Sequence, residues 1–410
     1  MRIIALAAFF LAADFAIPGC APNLPGRVKD WPFILAIYDV TYQDLCAPWV
    51  TDFSVIQPSN AGRVQSYLQY QASLGSSSNV GSTRLFGTVY NGNAKWEGGA
   101  LAPNGKIYGA RFGGGPTQQF LEIDPSTLTT NLVGPASNTG SGMILLPSGL
   151  LLEIPHTGVM NPVILNPNTG TTTTLSGSNG GVACSGGVLA PNGKVYCTAQ
   201  SGTAGALEID PVTGSITMFG GGQLGLNYGG SAVLGLNGKI YAIPYAGTTQ
   251  IAEIDPDTRA IVLFGPSLAL NNYYGAILAP SGKFYLPGFN TSTILEVDPT
   301  LRTVLSFGNT GGGSNYLGAA LAPNGHIYLA PRSASTVLEF DPVTHAQTTF
   351  GSGWGAAVTA FDGLILAPNG KIYAIPLTGS VSNQQPMEID PKSNGTYCPA
   401  VARSAYFNKF

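Results

Sequence analysis

Three histidines, His156, His326 and His345, are the whole imidazole supply of this 410-residue chain. An acid–base or metal site would draw on them, on five cysteines, or on the 21 aspartates and glutamates. Repetition accounts for most of the carboxylates. Glu122, Glu208, Glu253, Glu296, Glu339 and Glu388 recur in one context, and Lys106, Lys194, Lys239, Lys283 and Lys371 in another, with His326 once in place of Lys. In one stretch both change together: Leu150 stands at the Lys position and Ile164 at the Glu position. Joint loss predicts a cross-strand ion pair in each unit, not a set of catalytic carboxylates. Asp124, Asp210, Asp255, Asp298, Asp341 and Asp390 share a second context, each just before Pro, and are expected to form turns. The chain has no Ser-His-Asp set, no Gly-rich phosphate loop and no CxxC.

The elements that carry these residues follow from self-similarity. LAPNGKIY (101–108) returns at 189–196, 278–285, 321–328 and 366–373 with small changes, and in degraded form at 145–152 and 234–241. The turn glycines Gly105, Gly149, Gly193, Gly238, Gly282, Gly325 and Gly370 set seven units of about 44 residues. Each unit predicts four strands. In the fourth copy, GSAVLGL and KIYAIP flank an Asn237-Gly238 hairpin, and QIAEID and AIVLFG flank a Pro-Asp turn. Four antiparallel strands per unit, repeated seven times, point to an all-β, seven-bladed β-propeller. A solenoid would need specialised end caps, which the sequence lacks. Fourth strands end at Gly134, Gly177, Gly220, Gly265, Gly308 and Gly351, but the seventh unit has no such ending. STRLFG (82–87) supplies one ahead of the first unit. A strand at about 83–87 is therefore expected to join the last blade and close the ring.

The repeats, roughly residues 83–398, resemble the propellers of the YVTN and streptogramin-lyase-like kind. The resemblance is carried by the P-N-G-K-I-Y hairpin and the following strand ending in I-D-P. It implies the fold. For the lyase-like enzymes it also implies a His with metal-binding carboxylates near the channel. Here the histidines fall in different units, with His326 and His345 on the face opposite the expected mouth. Glu97 and Asp362 lie near the mouth, from blades made adjacent by closure, and with His156 they form the one candidate enzymatic site. No catalytic residue, cofactor or metal is assigned.

Ligand candidates come from two positions per unit. Nine residues before the turn Gly stand Trp96, Gly140, Cys184, Gly229 (beside Tyr228), Tyr273, Tyr316 and Phe361. Seven residues after it stand Phe112, His156, Gln200, Tyr245, Phe289, Arg332 and Leu377. Both sets are expected on one face, where aromatic and polar groups suit a glycan or a peptide. Wedge residues packed between blades are the competing reading for the aromatics.

Outside the repeats, Met1–Cys20 reads as a signal peptide: Arg2, an apolar run over 3–13, and IPGC, a lipobox-like end that makes Cys20 a lipidation candidate. Residues 21–82 form an extension with an aromatic stretch and a short helix from about Ser59-Asn60 to Gly75; 399–410 are a tail. The extension could plug one face, dock on a neighbour or serve self-assembly. Cys46 and Cys398 are disulfide candidates that would tie the ends together. Cys184 and Cys197 lie on consecutive strands about two rows apart, so they are either a second pair or small core residues. Charged residues make up only 10% of the chain and the net charge is −3, with no basic run for nucleic acid. The expectation is an exported, extracytoplasmic binding or assembly module, touching a membrane only through a lipid anchor. A propeller lyase or lactonase, and a structural subunit of a surface layer, filament or virion fibre, are the alternatives.

Overall fold

The computed structural model describes residues 61–90, 96–112, 118–138, 140–156, 160–226, 228–229, 232–245, 249–268, 273–354, 360–377, 385–397, 399–403 and 406. The signal, Cys20, Cys46 and Cys398 lie outside the described residues. Seven antiparallel sheets follow one another in chain order, the first six each built from one unit. In the last, the strand Ser82–Leu85 pairs with Met387–Asp390 in the register Thr83 to Ile389 and Arg84 to Glu388. The final blade thus takes its outer strand from the beginning of the repeat region.

The repeated phrase is a packing device. Asn104 donates to the Tyr108 hydroxyl, Lys106 pairs with Glu122 at 2.7 Å, and the Tyr108 hydroxyl donates to Glu122 and to the Pro167 carbonyl of the next blade. Tyr196 and Tyr285 do the same toward Pro256 and Pro342. With Tyr373 on the Pro125 carbonyl, four blades are thereby tied to the next by a phenol. The cross-strand pairs are present: Lys194–Glu208 at 2.5 Å, Lys283–Glu296 at 2.5 Å, Lys371–Glu388 at 3.1 Å and His326–Glu339 at 2.6 Å. Lys239 lies 3.6 Å from Glu253 and nearer, at 3.2 Å, to Asp255. A second cation arrives from the next blade's last turn, as with Arg259 on Glu208 and Arg302 on Glu253. With Arg259 and Lys194 beside it, Glu208 is held down to about 2, although partial burial opposes this. The repeated aspartates accept backbone N–H groups two and three residues ahead, as Asp210 does from Val212 and Thr213.

The second unit lost its Lys–Glu pair and carries a different one. Glu153 meets Arg111 of the first blade at 2.6 Å, both buried, and Arg111 also lies 4.0 Å over the Phe120 ring. Any side chain at position 140 would collide with Glu153, which accounts for Gly140 where four other units place an aromatic residue.

The helix Ala61–Leu74 ends at Gly75, whose φ of +70° only glycine adopts without strain. Val64, Tyr67 and Leu68 are buried in the main core. Gln69 donates to the Pro280 carbonyl, and Asn324 donates to Ser76, so the segment crosses the hairpin turns of the fifth and sixth blades. The tail joins it. Tyr67 and Tyr397 rings lie 6.0 Å apart, and Arg403 reaches the Pro103 carbonyl of the first blade. Helix and tail therefore cover the hairpin face. Among the described residues no helix is long and apolar enough to cross a membrane.

Candidate functional site

The opposite face carries the site. Its geometry turns on a bulge in the first strand. Register slips between Trp96 and Gly99, Gly140 and Met143, Tyr316 and Ala319, and Phe361 and Leu364. A glycine with positive φ sits at each slip: Gly98, Gly142, Gly318 and Gly363. These glycines mark where the first strands crowd the axis. A Cβ on Gly318 would come within 2.9 Å of the Gly363 Cα.

The bulge decides which side chains face the axis. Residues nine before the turn Gly turn back into the blades. Trp96 is fully buried and donates its indole N–H to the Gln119 carbonyl of its own blade. Tyr228 donates to the Gln250 carbonyl, Tyr273 pairs with the Thr293 hydroxyl, and Tyr316 is held beside Thr336. Phe361 packs against Trp354. These five candidates are wedges, with their polar ends already partnered where they have them.

Residues eight before the turn Gly point inward instead: Glu97, Ser141, Ser185, Tyr274, Leu317 and Asp362. All are buried. The Tyr274 hydroxyl donates to Glu97 at 3.2 Å, a hydrogen bond from the fifth blade to the first across the ring. Residues seven after the turn Gly form the layer above. Tyr245, Tyr274 and Phe289 make an aromatic cluster with centroids 5.4 to 6.3 Å apart. Arg332 lies 4.9 Å over Phe289, and Phe112 and His156 rings lie 5.0 Å apart. Gln200 accepts the Ser185 hydroxyl. Of the ten ligand candidates, Phe112, His156, Tyr245, Phe289 and Arg332 thus gather at the axial face, together with Glu97 and Asp362.

Burial is the largest influence on both carboxyls and pushes each above its ordinary range. His156, Tyr274 and Arg332 partly offset this at Glu97, whereas Glu97 itself drives Asp362 further up. Ser141 lies beside Glu97, near enough to weigh on its ionisation, yet its hydroxyl makes no well-formed hydrogen bond. Tyr274 is raised well above the usual phenol range by burial and by both carboxyls. Glu97 Oε2, Ser141 Oγ, His156 Nδ1, Arg332 Nε and Asp362 Oδ1 are all buried without a well-formed hydrogen bond, Ser141 and Glu97 lying near enough to influence each other. Such orphans are uncommon, and here five converge.

The residues do not suit a resident metal. Among the described residues no three His, Cys, Asp or Glu side chains are grouped to hold one. His326 and His345 serve the ion-pair belt on the other face. Beneath the axial site, Cys184 and Cys197 form a disulfide with Cα atoms 6.0 Å apart. Cys184 faces Ala199, so the bond runs diagonally across the bulge and staples the strands that carry Ser185 and Gln200.

No family model and no curated protein matches the sequence. Solved structures do match in shape. A streptogramin B lyase superposes with a TM-score of 0.59 at 12% identity, covering 75% of this chain and 97% of its own. Virginiamycin B lyase from Staphylococcus aureus gives 0.60 at 11%, covering 75% and 98%. The chain shares the fold of the streptogramin B lyases. An extracellular domain of a hybrid two-component system from B. thetaiotaomicron gives 0.53 at 9%, covering 74% of this chain and 43% of its own. At these identities the likeness shows the fold and no more.

Proposed function

We propose that this chain is an exported, non-catalytic propeller that recognises a small polar ligand, a glycan unit or a peptide end, at its axial face. The carrying observation is the set of five buried polar atoms without a well-formed hydrogen bond beside the Tyr245–Tyr274–Phe289 wall. Unpaired buried polar groups cost free energy that a ligand's hydrogen bonds would recover, and aromatic faces supply stacking. Export is supported by the disulfide, which suits an oxidising compartment. Low charge and the extracellular structural neighbour agree with it. The helix Ala61–Leu74 is used by the chain's own hairpin face, so assembly through it is the weaker reading.

Glycan and peptide arrays probed with the wild type and with Tyr245→Ala/Phe289→Ala test the proposal. Binding by the wild type, lost in the variant at unchanged melting temperature, is expected. Equal binding by both proteins, or none by either, would refute it. Substitutions at Tyr273 and Tyr316 are unsuitable probes, because both pack inside the blades.

One observation favours the enzymatic alternative. A carboxyl kept protonated by burial and by a second carboxyl is suited to general acid chemistry. Breakdown of virginiamycin B by the wild type, abolished by Asp362→Asn, would establish that reading over the first.

A further inference from the structure

Across the chain, buried glutamates are matched with cations. Glu122, Glu153, Glu208, Glu253, Glu296 and Glu388 each have a Lys, Arg or His nitrogen within 4 Å. Glu97 and Asp362 are the exceptions. They are 4% and 2% exposed, and among the described residues neither has a cation at ion-pair distance. Arg332 and His156 influence Glu97 from farther away, with Arg332 turned over the Phe289 ring and His156 against Phe112. One oxygen of each carboxyl lacks a well-formed hydrogen bond, and so does the fully buried Ser141 hydroxyl beside them. Tyr245, Tyr274 and Phe289 wall the same space.

We propose that the axial site takes the ammonium group of an alkylamine, with Glu97 Oε2, Asp362 Oδ1 and Ser141 Oγ accepting its N–H donors and the Tyr245–Tyr274–Phe289 rings packing on its alkyl stem. This rests on the axial face being a ligand site, and it names the ligand's chemistry. Three acceptors match the three donors of a primary ammonium. Ring faces attract a cation as well as covering the stem. A neutral sugar could bond the same oxygens, but only a cation gains from the negative charge the two carboxyls carry once ionised. Burial raises both carboxyls, and a bound ammonium favours their ionised forms, so binding should release protons. The charged or titratable groups facing the pair from the other blades are Arg332, His156 and Tyr274, and burial raises Tyr274 well above the usual phenol range. Affinity should therefore rise with pH through the carboxyl range.

The test is calorimetric titration of the full chain with methylammonium, tyramine and the dipeptide Gly-Phe. The uncharged controls are methanol, tyrosol and N-acetyl-Gly-Phe. Binding of an amine at least tenfold tighter than of its control, with proton release, is expected. Glu97→Gln and Asp362→Asn should each weaken it tenfold or more while both variants keep a cooperative melt. Preference for tyramine would mark a free amine as the source, and preference for Gly-Phe a peptide N-terminus. Equal affinity for amines and controls, or no amine binding by a protein that still binds array glycans, overturns the inference and leaves the axial-site reading standing. Amine binding that both variants retain also overturns it. No binding to amines or arrays overturns both.

Discussion

Glu97, on the first blade, adds its charge to the burial that holds the Asp362 carboxyl of the seventh blade in its protonated form. The two strands become neighbours only because the ring closes. This pair exists in the folded ring alone, and its cost is borne by the fold.

That cost is measurable. Both carboxyls bind protons more tightly folded than unfolded, so the native state loses stability as pH rises above the ordinary carboxylate range, until the raised values are passed. Asp362→Asn should therefore stabilise the protein at neutral pH by on the order of 1 kcal/mol, the trade expected of a functional site. The gain should shrink toward pH 4. Melting curves of wild type and variant across pH 4 to 8 would show it, and a destabilised variant at pH 7 would refute it.

His326 gives the opposite sign. Glu339 raises its pKa, so its contribution is complete below the ordinary imidazole range and fades as pH climbs through the raised value. His326→Lys, which installs the residue found in five other units, should keep the pair to higher pH. The difference in melting temperature between variant and wild type should grow from pH 6 to pH 9.

Arg111→Met should leave Glu153 buried without its cation and cost about 3–5 kcal/mol. Replacing both residues by Met should recover much of that. Urea denaturation of the two single variants and the double variant would read the coupling directly.

Replacing Cys184 and Cys197 by Ser should cost about 2–4 kcal/mol and loosen the strands bearing Ser185 and Gln200. The check is thermal denaturation with and without reductant. The wild type should shift on reduction and the variant should not.

The repeat made the blades, the ion pairs and the Asp turns legible, because each recurs in register. STRLFG pointed to the outer strand of the last blade through the same echo. The sequence left two readings for Trp96, Tyr228, Tyr273, Tyr316 and Phe361, mouth or wedge, and all five pack as wedges. At Trp96, Tyr316 and Phe361 a bulge turns the neighbouring residue to the axis, since a shift of one residue exchanges the two faces of a strand. A signal was present: Gly98, Gly142, Gly186, Gly275, Gly318 and Gly363 all stand seven before the turn Gly. The residue just before that glycine varies from unit to unit and lines the site. The helix was legible from its end signals, but its burial was not. Val64, Tyr67 and Leu68 are core residues, and Tyr67→Ala should cost on the order of 3 kcal/mol.

The most direct test of the axial site is a crystal structure of the full chain soaked with tyramine. The account predicts density for the amine with its nitrogen within hydrogen-bond reach of Glu97 and Asp362 and its ring against Tyr245 or Phe289. An axis filled only by ordered waters that satisfy Glu97, Ser141 and Asp362, unchanged by the soak, would contradict it.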